Sequence, residues 1–173
     1  MTAPDERADR QDVAEVLVRY ASGIDRRDWP LFRSCFTEGV HADYEGIAVW
    51  EGVDEITAFM EAAHGEMGHT LHRITNVAVQ VDGDRAAARS YVDLVAMDAA
   101  GESGLTTAGF YDDELVRTPD GWRIATRRFV MVRSGLLGGC GALRPPGGSR
   151  RGGPSPARRW PRASPAGRRR WRR

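Results

Sequence analysis

The sequence contains no lysine, so each of its 25 basic residues is an arginine. Its two cysteines, Cys35 and Cys140, are too few for the disulfide framework of a small secreted domain. No apolar run approaches the length that spans a membrane, and residues 1–6 lack the basic and apolar regions of a signal peptide. We therefore expect a cytoplasmic protein that has no membrane partner.

Acidic residues are absent from the C-terminal part of the chain. Residues 1–135 contain 14 arginines and 24 acidic residues, whereas residues 136–173 contain 11 arginines and no acid. The second segment is rich in Gly, Pro, Arg, Ala and Ser and has almost no apolar periodicity, so it cannot bury enough surface to offset its ordering entropy. The sequence predicts one domain over residues 1–135 and a disordered tail over residues 136–173.

The basic tail has two interpretations. Its arginines, together with Trp160 and Trp171, could contact phosphates and stack on bases, which would make nucleic acid a partner. The composition also changes abruptly after a finished strand, and off-frame translation of GC-rich DNA yields these residue types. We favour a frameshifted terminus, because basic runs alone are weak support for nucleic-acid binding.

The apolar pattern predicts helices first and strands afterwards. Asp9 can cap a first helix that runs to about Gly23. Asp28-Trp29-Pro30 predicts the start of a second helix over Trp29 to Phe36, and a third helix follows Gly52. Two short strands and four long ones have strand-like patterns, at residues 40–44, 47–50, 74–81, 85–98, 106–117 and 122–132. In the first long strand the alternation places Ile74 and Ala78 on one face and Val77, Val79 and Val81 on the other. This order predicts an α+β domain in which helices cover one face of a curved antiparallel sheet.

A histidine lies where the chain enters a long predicted hairpin. If that hairpin lines a cavity, His72 would place a group that titrates near neutrality inside it. Asp25 follows the first helix on or near its apolar face, where a solvated or capping acid is the ordinary expectation. Cys35 has no base near it in sequence, which favours a small buried side chain over a nucleophile.

The sequence has no motif for a metal or an organic cofactor. His64, Glu66, His69 and His72 match no compact metal-ligand spacing, and solvent-exposed loop histidines are the expectation here. The glycines lie in turns, and neither a phosphate-binding loop nor a dinucleotide fingerprint is present. We therefore expect a protein without cofactor or metal.

Three stretches resemble, in order and spacing, the SnoaL-like members of the nuclear transport factor two-like superfamily: residues 19–29, 71–76 and 117–124. The resemblance covers residues 9–134 and implies a cone-shaped α+β barrel around an apolar cavity. Relatives include scytalone dehydratase, hexachlorocyclohexane dehydrochlorinase, ketosteroid isomerase and polyketide cyclases. In the dehydratase and dehydrochlorinase branch an acid after the first helix pairs with a histidine, and Asp25 and His72 stand at the matching positions. The resemblance thus implies that these two residues are catalytic.

Such a pair would abstract a proton beside a leaving group or a carbonyl, without a covalent intermediate. We expect Tyr44 and Arg128 to polarise a substrate oxygen or steady a departing group. Tyr20 and Trp50 are further candidates for the substrate pocket. Because side chains alternate along a strand, one of Arg127 and Arg128 must face solvent.

The prediction is a cofactor-independent lyase or isomerase that acts on a small apolar or polyketide-like ring. The alternative is a non-catalytic binding or dimerising subunit with the same fold. The route of ketosteroid isomerase lacks a clear counterpart, since nothing singles out Asp93 or Asp112 and Tyr111 is expected to pack in the core. The expected partners are a small apolar molecule and further copies of the chain, as a homodimer or homotrimer.

Overall fold

The computed structural model describes residues 6–138, which form three helices and six strands. The helices are α1 (Glu6–Arg26), α2 (Trp29–Arg33) and α3 (Val53–Gly65). The strands are β1 (Phe36–Tyr44), β2 (Ala48–Glu51), β3 (Met67–Asp82), β4 (Arg85–Asp98), β5 (Gly104–Thr118) and β6 (Gly121–Leu137). The predicted α+β fold, with helices first and a meander of four long strands, is confirmed.

The six strands form one curved sheet in the order β2-β1-β6-β5-β4-β3. Neighbouring strands are antiparallel except β1 and β6, which run parallel, so one pair departs from the predicted antiparallel pattern. Helix α1 packs on β3, β4 and β6, while α3 packs on β1, β2 and β3. The core lies between these helices and the sheet, and it includes the apolar stripe of α1: Val13, Val16, Leu17, Tyr20 and Ile24.

Asp9 was expected to cap the first helix and Gly23 to end it, and both expectations are wrong, because α1 already includes Glu6 and Asp9 pairs with Arg117. Helix α1 continues to Arg26, and a Cβ on Gly23 would lie 2.8 Å from the backbone nitrogen of Phe32, so glycine here permits close packing of α1 on α2. The helix ends one turn later, where the N–H of Asp28 donates to the carbonyl of Gly23 (2.8 Å). Arg27 takes the left-handed position that glycine usually occupies (φ 57°). An arginine at this position requires compensation from its side chain.

A bulge in β3 reverses the faces that the alternation predicts. Ile74 was expected on one face, with Val79 and Val81 on the other. The register with β4 breaks around Asn76, which has a positive φ of 48°. Because the extra residues rotate the strand, Ile74, Val79 and Val81 all pack against the core, and Val77 is exposed. The front part of β3 can therefore direct His72 inward while its far end still supplies core residues.

The predicted second helix is shorter than expected, because Phe36 opens β1 instead of ending α2. Asp28 caps α2 by accepting a hydrogen bond from the N–H of Leu31 (3.0 Å), as the Asp-Trp-Pro pattern predicts. Cys35 is fully buried, and burial raises the pKa of its thiol to about 11, so it is the small core residue that was expected.

The last strand continues to Leu137, two residues beyond the predicted domain boundary. Residues 139–173 lie outside the described residues, and both hypotheses on the tail stay predictions. None of the helices within residues 6–138 is long and apolar enough to cross a membrane.

Candidate active site

A cavity of about 290 Å³ lies between the helices and the sheet. Its wall is mostly apolar, and its polar groups are two imidazoles, three phenols and two aliphatic hydroxyls. The lining residues are Tyr20, Ile24, Tyr44, Ile47, Phe59, Met60, His64, Met67, His72, Val92, Leu94, Ala96, Leu105, Thr107, Tyr111, Phe129, Met131 and Ser134. A larger but more open groove runs past Arg10 and Arg128 elsewhere on the surface, and it contains neither histidine.

Asp25 and His72 are in direct contact: His72 lines the cavity, whereas Asp25 does not line it and borders a separate open groove with Arg27 and His64. The Nδ1 atom of His72 lies 2.6 Å from Oδ1 of Asp25, and the backbone N–H of His72 donates to Oδ2 (2.8 Å). The His72 side chain is 5 % exposed and that of Asp25 is 18 % exposed. Because a carboxylate only accepts hydrogen bonds, Nδ1 carries a proton, and in the neutral tautomer the lone pair is on Nε2. The structure brings together the two residues that the resemblance paired.

Thr70 and Arg27 hold this carboxylate in place. The Thr70 hydroxyl donates to Oδ1 of Asp25 (2.9 Å) and accepts a hydrogen bond from Nη1 of Arg27 (2.8 Å). The other donors of Arg27 bind main-chain carbonyls, those of Ile24, Asp25, His64 and Gly68. These bonds join the ends of α1 and α3 to the start of β3, and they offset the left-handed backbone of Arg27. Because Arg27 can only donate to Thr70, the hydroxyl hydrogen of Thr70 is directed at the carboxylate of Asp25.

The hydrogen bonds on Asp25 favour its ionised form. Burial raises the pKa of this carboxyl, but the bonds from His72 and Thr70 more than offset burial, so the pKa lies below its ordinary value. An acid in the last turn of a helix also opposes the helix dipole. Asp25 is therefore a carboxylate at neutral pH, kept in an otherwise unfavourable place by three donated hydrogen bonds.

Three tyrosine hydroxyls meet at another part of the wall. The hydroxyl of Tyr20 lies 2.9 Å from that of Tyr44 and 3.4 Å from that of Tyr111. Burial raises the pKa of all three phenols, so each keeps its hydrogen at neutral pH. Two mutual bonds use two of the three hydrogens, and one remains to be donated to a ligand. Asp25 lies five residues beyond Tyr20 on α1, which separates the two groups by about 7.5 Å along the helix axis.

A buried ion pair supports the tyrosines from behind. Arg127 and Asp113 form two hydrogen bonds of 2.7 Å, and both side chains are fully buried. The guanidinium lies 4.1 Å from the ring centroids of Tyr20 and Tyr111. Burial acts to lower the pKa of Arg127, but the Asp113 carboxylate outweighs it and holds the pKa well above its ordinary value. A permanent positive charge therefore lies over the ring faces of two of the three phenols, and it also acts on the third, Tyr44.

Two residues proposed for the pocket lie outside it. Arg128 is 52 % exposed and pairs with Glu45, because strand alternation sends Arg127 to the core and Arg128 to the outer face. Trp50 is buried against the rings of Tyr44 and Phe59 (centroids 5.2 and 4.7 Å), so it supports the wall without lining it. Tyr20 and Tyr44 do line the cavity, where the sequence placed them.

The pattern missed several polar residues of the site. Tyr111 was expected only to pack, yet its hydroxyl joins the cluster, whereas Asp93 and Asp112 are on the outer, solvent-facing side. Its partner across the sheet, Phe129, also lines the cavity. Alternation along β5 could have found Tyr111, because it shares a face with the buried Leu115.

Within residues 6–138 no three His, Cys, Asp or Glu side chains lie close enough to hold a metal ion.

Comparison with known proteins gives a consistent picture. The sequence profile of the SnoaL-like domain matches residues 5–128. The uncharacterized protein Rv2910c of Mycobacterium tuberculosis is 33% identical over 124 residues, which is 70% of this chain and 84% of that protein. The crystal structure of Kfla4162 from Kribbella flavida has a TM-score of 0.71 and 29% identity, over 76% of this chain and 95% of that chain. A hexachlorocyclohexane dehydrochlorinase, LinA type 2, shares the fold with a TM-score of 0.66 and 22% identity, over 82% of this chain and 94% of its own.

Proposed function

The chain belongs to the SnoaL-like domain family, and on that basis we propose that it is a cofactor-independent lyase or isomerase with His72 as its base. The observation that carries the proposal is the 2.6 Å contact between His72 and Asp25 at the wall of a mostly apolar cavity. An imidazole with a carboxylate behind it and an apolar space before it is suited to proton abstraction.

The proton transfer uses the nitrogen that faces away from Asp25. The C–H bond of the substrate breaks, its proton goes to Nε2 of His72, and the imidazolium that forms is stabilised by the ionised Asp25. The electron pair stays on the substrate, where it expels a leaving group or moves into a carbonyl. Because Thr70 and the backbone N–H of His72 already bind the carboxylate, Asp25 does not need to reorient during the reaction.

The tyrosine cluster stabilises the negative charge that develops on the substrate. Its one unused hydrogen can be donated to a substrate oxygen, and the charge of Arg127 beside Tyr20 and Tyr111 makes that donor stronger. A carbonyl held by the tyrosines would place the carbon beside it toward the base.

The proposed substrate is a small ring-bearing molecule of low polarity. The cavity volume is at the lower end of the range for small-molecule pockets, about 300–1,000 Å³. The dehydrochlorinase with the same fold is named for a six-carbon ring, which agrees with this class. Reactions that such a site supports are dehydration, other eliminations and carbonyl isomerisation or cyclisation.

Hydrogen exchange of a bicyclic ketone tests the proposal without knowledge of the natural substrate. We would incubate 1-tetralone in D₂O with the protein and follow loss of the proton signal beside the carbonyl by NMR. The expected result is exchange accelerated by the wild type and reduced by about 10²-fold or more in His72→Asn, because asparagine can still bind Asp25 but cannot take a proton. His69→Asn, which alters an exposed histidine three residues away, is the matched control and should behave as wild type.

A binding module would give a different result in the same experiment. If 1-tetralone binds, as measured by ligand-observed NMR, but its exchange is no faster than with the His72→Asn variant, the enzyme proposal is wrong. The non-catalytic alternative would then account for the cavity.

A further inference from the structure

A second imidazole lines the cavity, and the proton-transfer scheme above does not use it. His64 was expected in a solvent-exposed loop, and that expectation is wrong: it lies in the last turn of α3, is buried, and has its ring centroid 6.2 Å from that of His72. Trp29 flanks it at 6.4 Å. A buried histidine beside a candidate catalytic histidine needs a physical reason, because its polar atoms must be satisfied.

The hydrogen bonds of His64 decide which nitrogen carries the proton. Nδ1 lies 2.8 Å from the carbonyl oxygen of Met60, one turn earlier in the same helix. A carbonyl oxygen only accepts, so Nδ1–H is the donor and Nε2 retains a lone pair. Burial lowers the pKa of His64, and nearby Arg27 and a protonated His72 lower it further. The ring is therefore neutral at physiological pH, and its remaining nitrogen is a hydrogen-bond acceptor.

The polar groups of the cavity thus have different hydrogen-bonding characters. The tyrosine cluster offers a donor, and both imidazoles offer acceptors. His72 must keep its acceptor for the proton that it removes, whereas the proton-transfer scheme does not use that of His64. A ligand that carries a hydroxyl group would satisfy His64, and a ligand with an ether or a hydrogen at that position would leave the nitrogen unpaired.

We propose that His64 is a specificity residue whose Nε2 accepts a hydrogen bond from a hydroxyl group of the ligand. The inference rests on the proposed function for the idea that the cavity holds a ring-bearing molecule, and it narrows that class to hydroxylated rings. The preference for a hydroxyl over an ether follows from the fixed tautomer of His64, because Nε2 and an ether oxygen are both hydrogen-bond acceptors and cannot bind each other.

Paired ligands that differ only in the donor test this assignment. We would titrate the wild type with 2-naphthol and with 2-methoxynaphthalene by isothermal calorimetry. The wild type should bind 2-naphthol roughly five- to tenfold more tightly. In His64→Leu the two affinities should become similar, and His64→Gln, which keeps an acceptor, should retain part of the preference. His69→Leu is the control for an exposed histidine.

A measurement on the wild type alone covers the case in which His64→Leu fails to fold. In protein labelled with ¹⁵N at histidine, the Nε2 signal of His64 should show an unprotonated nitrogen and should shift with 2-naphthol but not with the ether. The assignment is overturned by equal affinities in the wild type, by no binding of 2-naphthol, or by a preference that survives His64→Leu. A preference that disappears only in His72→Asn would also overturn it. Because neither probe requires turnover, failure of the exchange experiment and failure of this one are separate outcomes.

Discussion

Two carboxylates support the same cavity, and their surroundings differ. Asp25 binds an imidazole, is partly exposed, and has a lowered pKa because three donors converge on it. Asp113 binds a guanidinium, is completely enclosed with Arg127, and holds a cation whose pKa is raised well above its ordinary value. Both pairs show similar distances, 2.6 and 2.7 Å.

The comparison separates a pair that can change protonation state from one that cannot. Imidazole titrates near neutrality, whereas guanidinium stays protonated at any physiological pH. His72 can therefore accept a proton while Asp25 stabilises the product, but Arg127 can only supply a constant charge beside the tyrosines. We expect damage to the first pair to impair chemistry and damage to the second to impair folding.

Asp113→Asn should have the largest effect on stability. The substitution leaves Arg127 as a buried charge without its carboxylate, which costs about 3–5 kcal/mol of unfolding free energy. Urea unfolding followed by far-UV circular dichroism measures the loss. Asp112→Asn is the matched control, because the adjacent residue pairs with Arg89 on the outer face, and its loss should be below about 1 kcal/mol. Equal losses for the two variants would remove the distinction between the enclosed and the exposed pair.

Asp25→Asn should have a large effect on activity and a small effect on stability, the opposite of Asp113→Asn. An amide cannot stabilise the imidazolium as a carboxylate does, so exchange of 1-tetralone should fall by about 10²-fold or more. The unfolding free energy should fall by only about 1–2 kcal/mol, because the amide retains part of the hydrogen bonding. A variant with normal exchange and a loss as large as that of Asp113→Asn would show that Asp25 is structural.

Acid should diminish the contribution of Asp25 to stability. Its pKa is lower in the folded state than its ordinary value of 3.8, so the carboxylate stabilises the fold above that pH. The contribution is lost as the pH falls through the folded-state pKa. The difference in unfolding free energy between wild type and Asp25→Asn should therefore become smaller as the pH falls below 3.8. Asp9 and Asp98, whose pKa values are also lowered, are present in both proteins and cancel. A difference that grows as the pH falls below 3.8 would contradict the assignment.

The sequence predicted the fold where the apolar pattern was regular. Strand β4 spans the predicted residues 85–98, and its buried positions alternate as the pattern requires. The pattern failed at Gly23 and Asn76, where the local structure depends on contacts far along the chain. Gly23 is needed for the approach of α2, and Asn76 bends β3 to follow the curved sheet. Neither requirement can be deduced from periodicity.

The candidate site was predictable only in part, and the resemblance supplied most of it. Asp25 and His72 were paired through matching positions, since nothing local distinguishes Asp25 from a capping acid. The choice of Arg128 over Arg127 was wrong because alternation fixes relative facing, not which of two neighbours faces inward. Asp113, directly opposite Arg127 in the β5–β6 register, decides the question, but that register is a property of the folded sheet.

The smallest predicted effects come from two buried hydroxyls, those of Thr70 and Ser90. Thr70 donates to Asp25 and accepts from Arg27, whereas the Oγ of Ser90 has no hydrogen-bond partner within residues 6–138. Thr70→Val should cost about 1 kcal/mol and slow exchange of 1-tetralone several-fold, because Asp25 loses a donor and Arg27 an acceptor. Ser90→Ala should be neutral or slightly stabilising, since it removes a buried hydroxyl that has lost its hydrogen bonds to water and has formed no others.

Thermal unfolding of the two variants beside Thr70→Ser, which keeps the hydroxyl, measures this contrast. Thr70→Ser should lie close to wild type in both melting and exchange. If Ser90→Ala melts lower than Thr70→Val, a hydrogen bond of Ser90 must stabilise the region of the enclosed ion pair. The order of the two melting temperatures therefore tests whether the hydrogen bonds of a buried hydroxyl, and not its burial alone, determine how much it stabilises the fold.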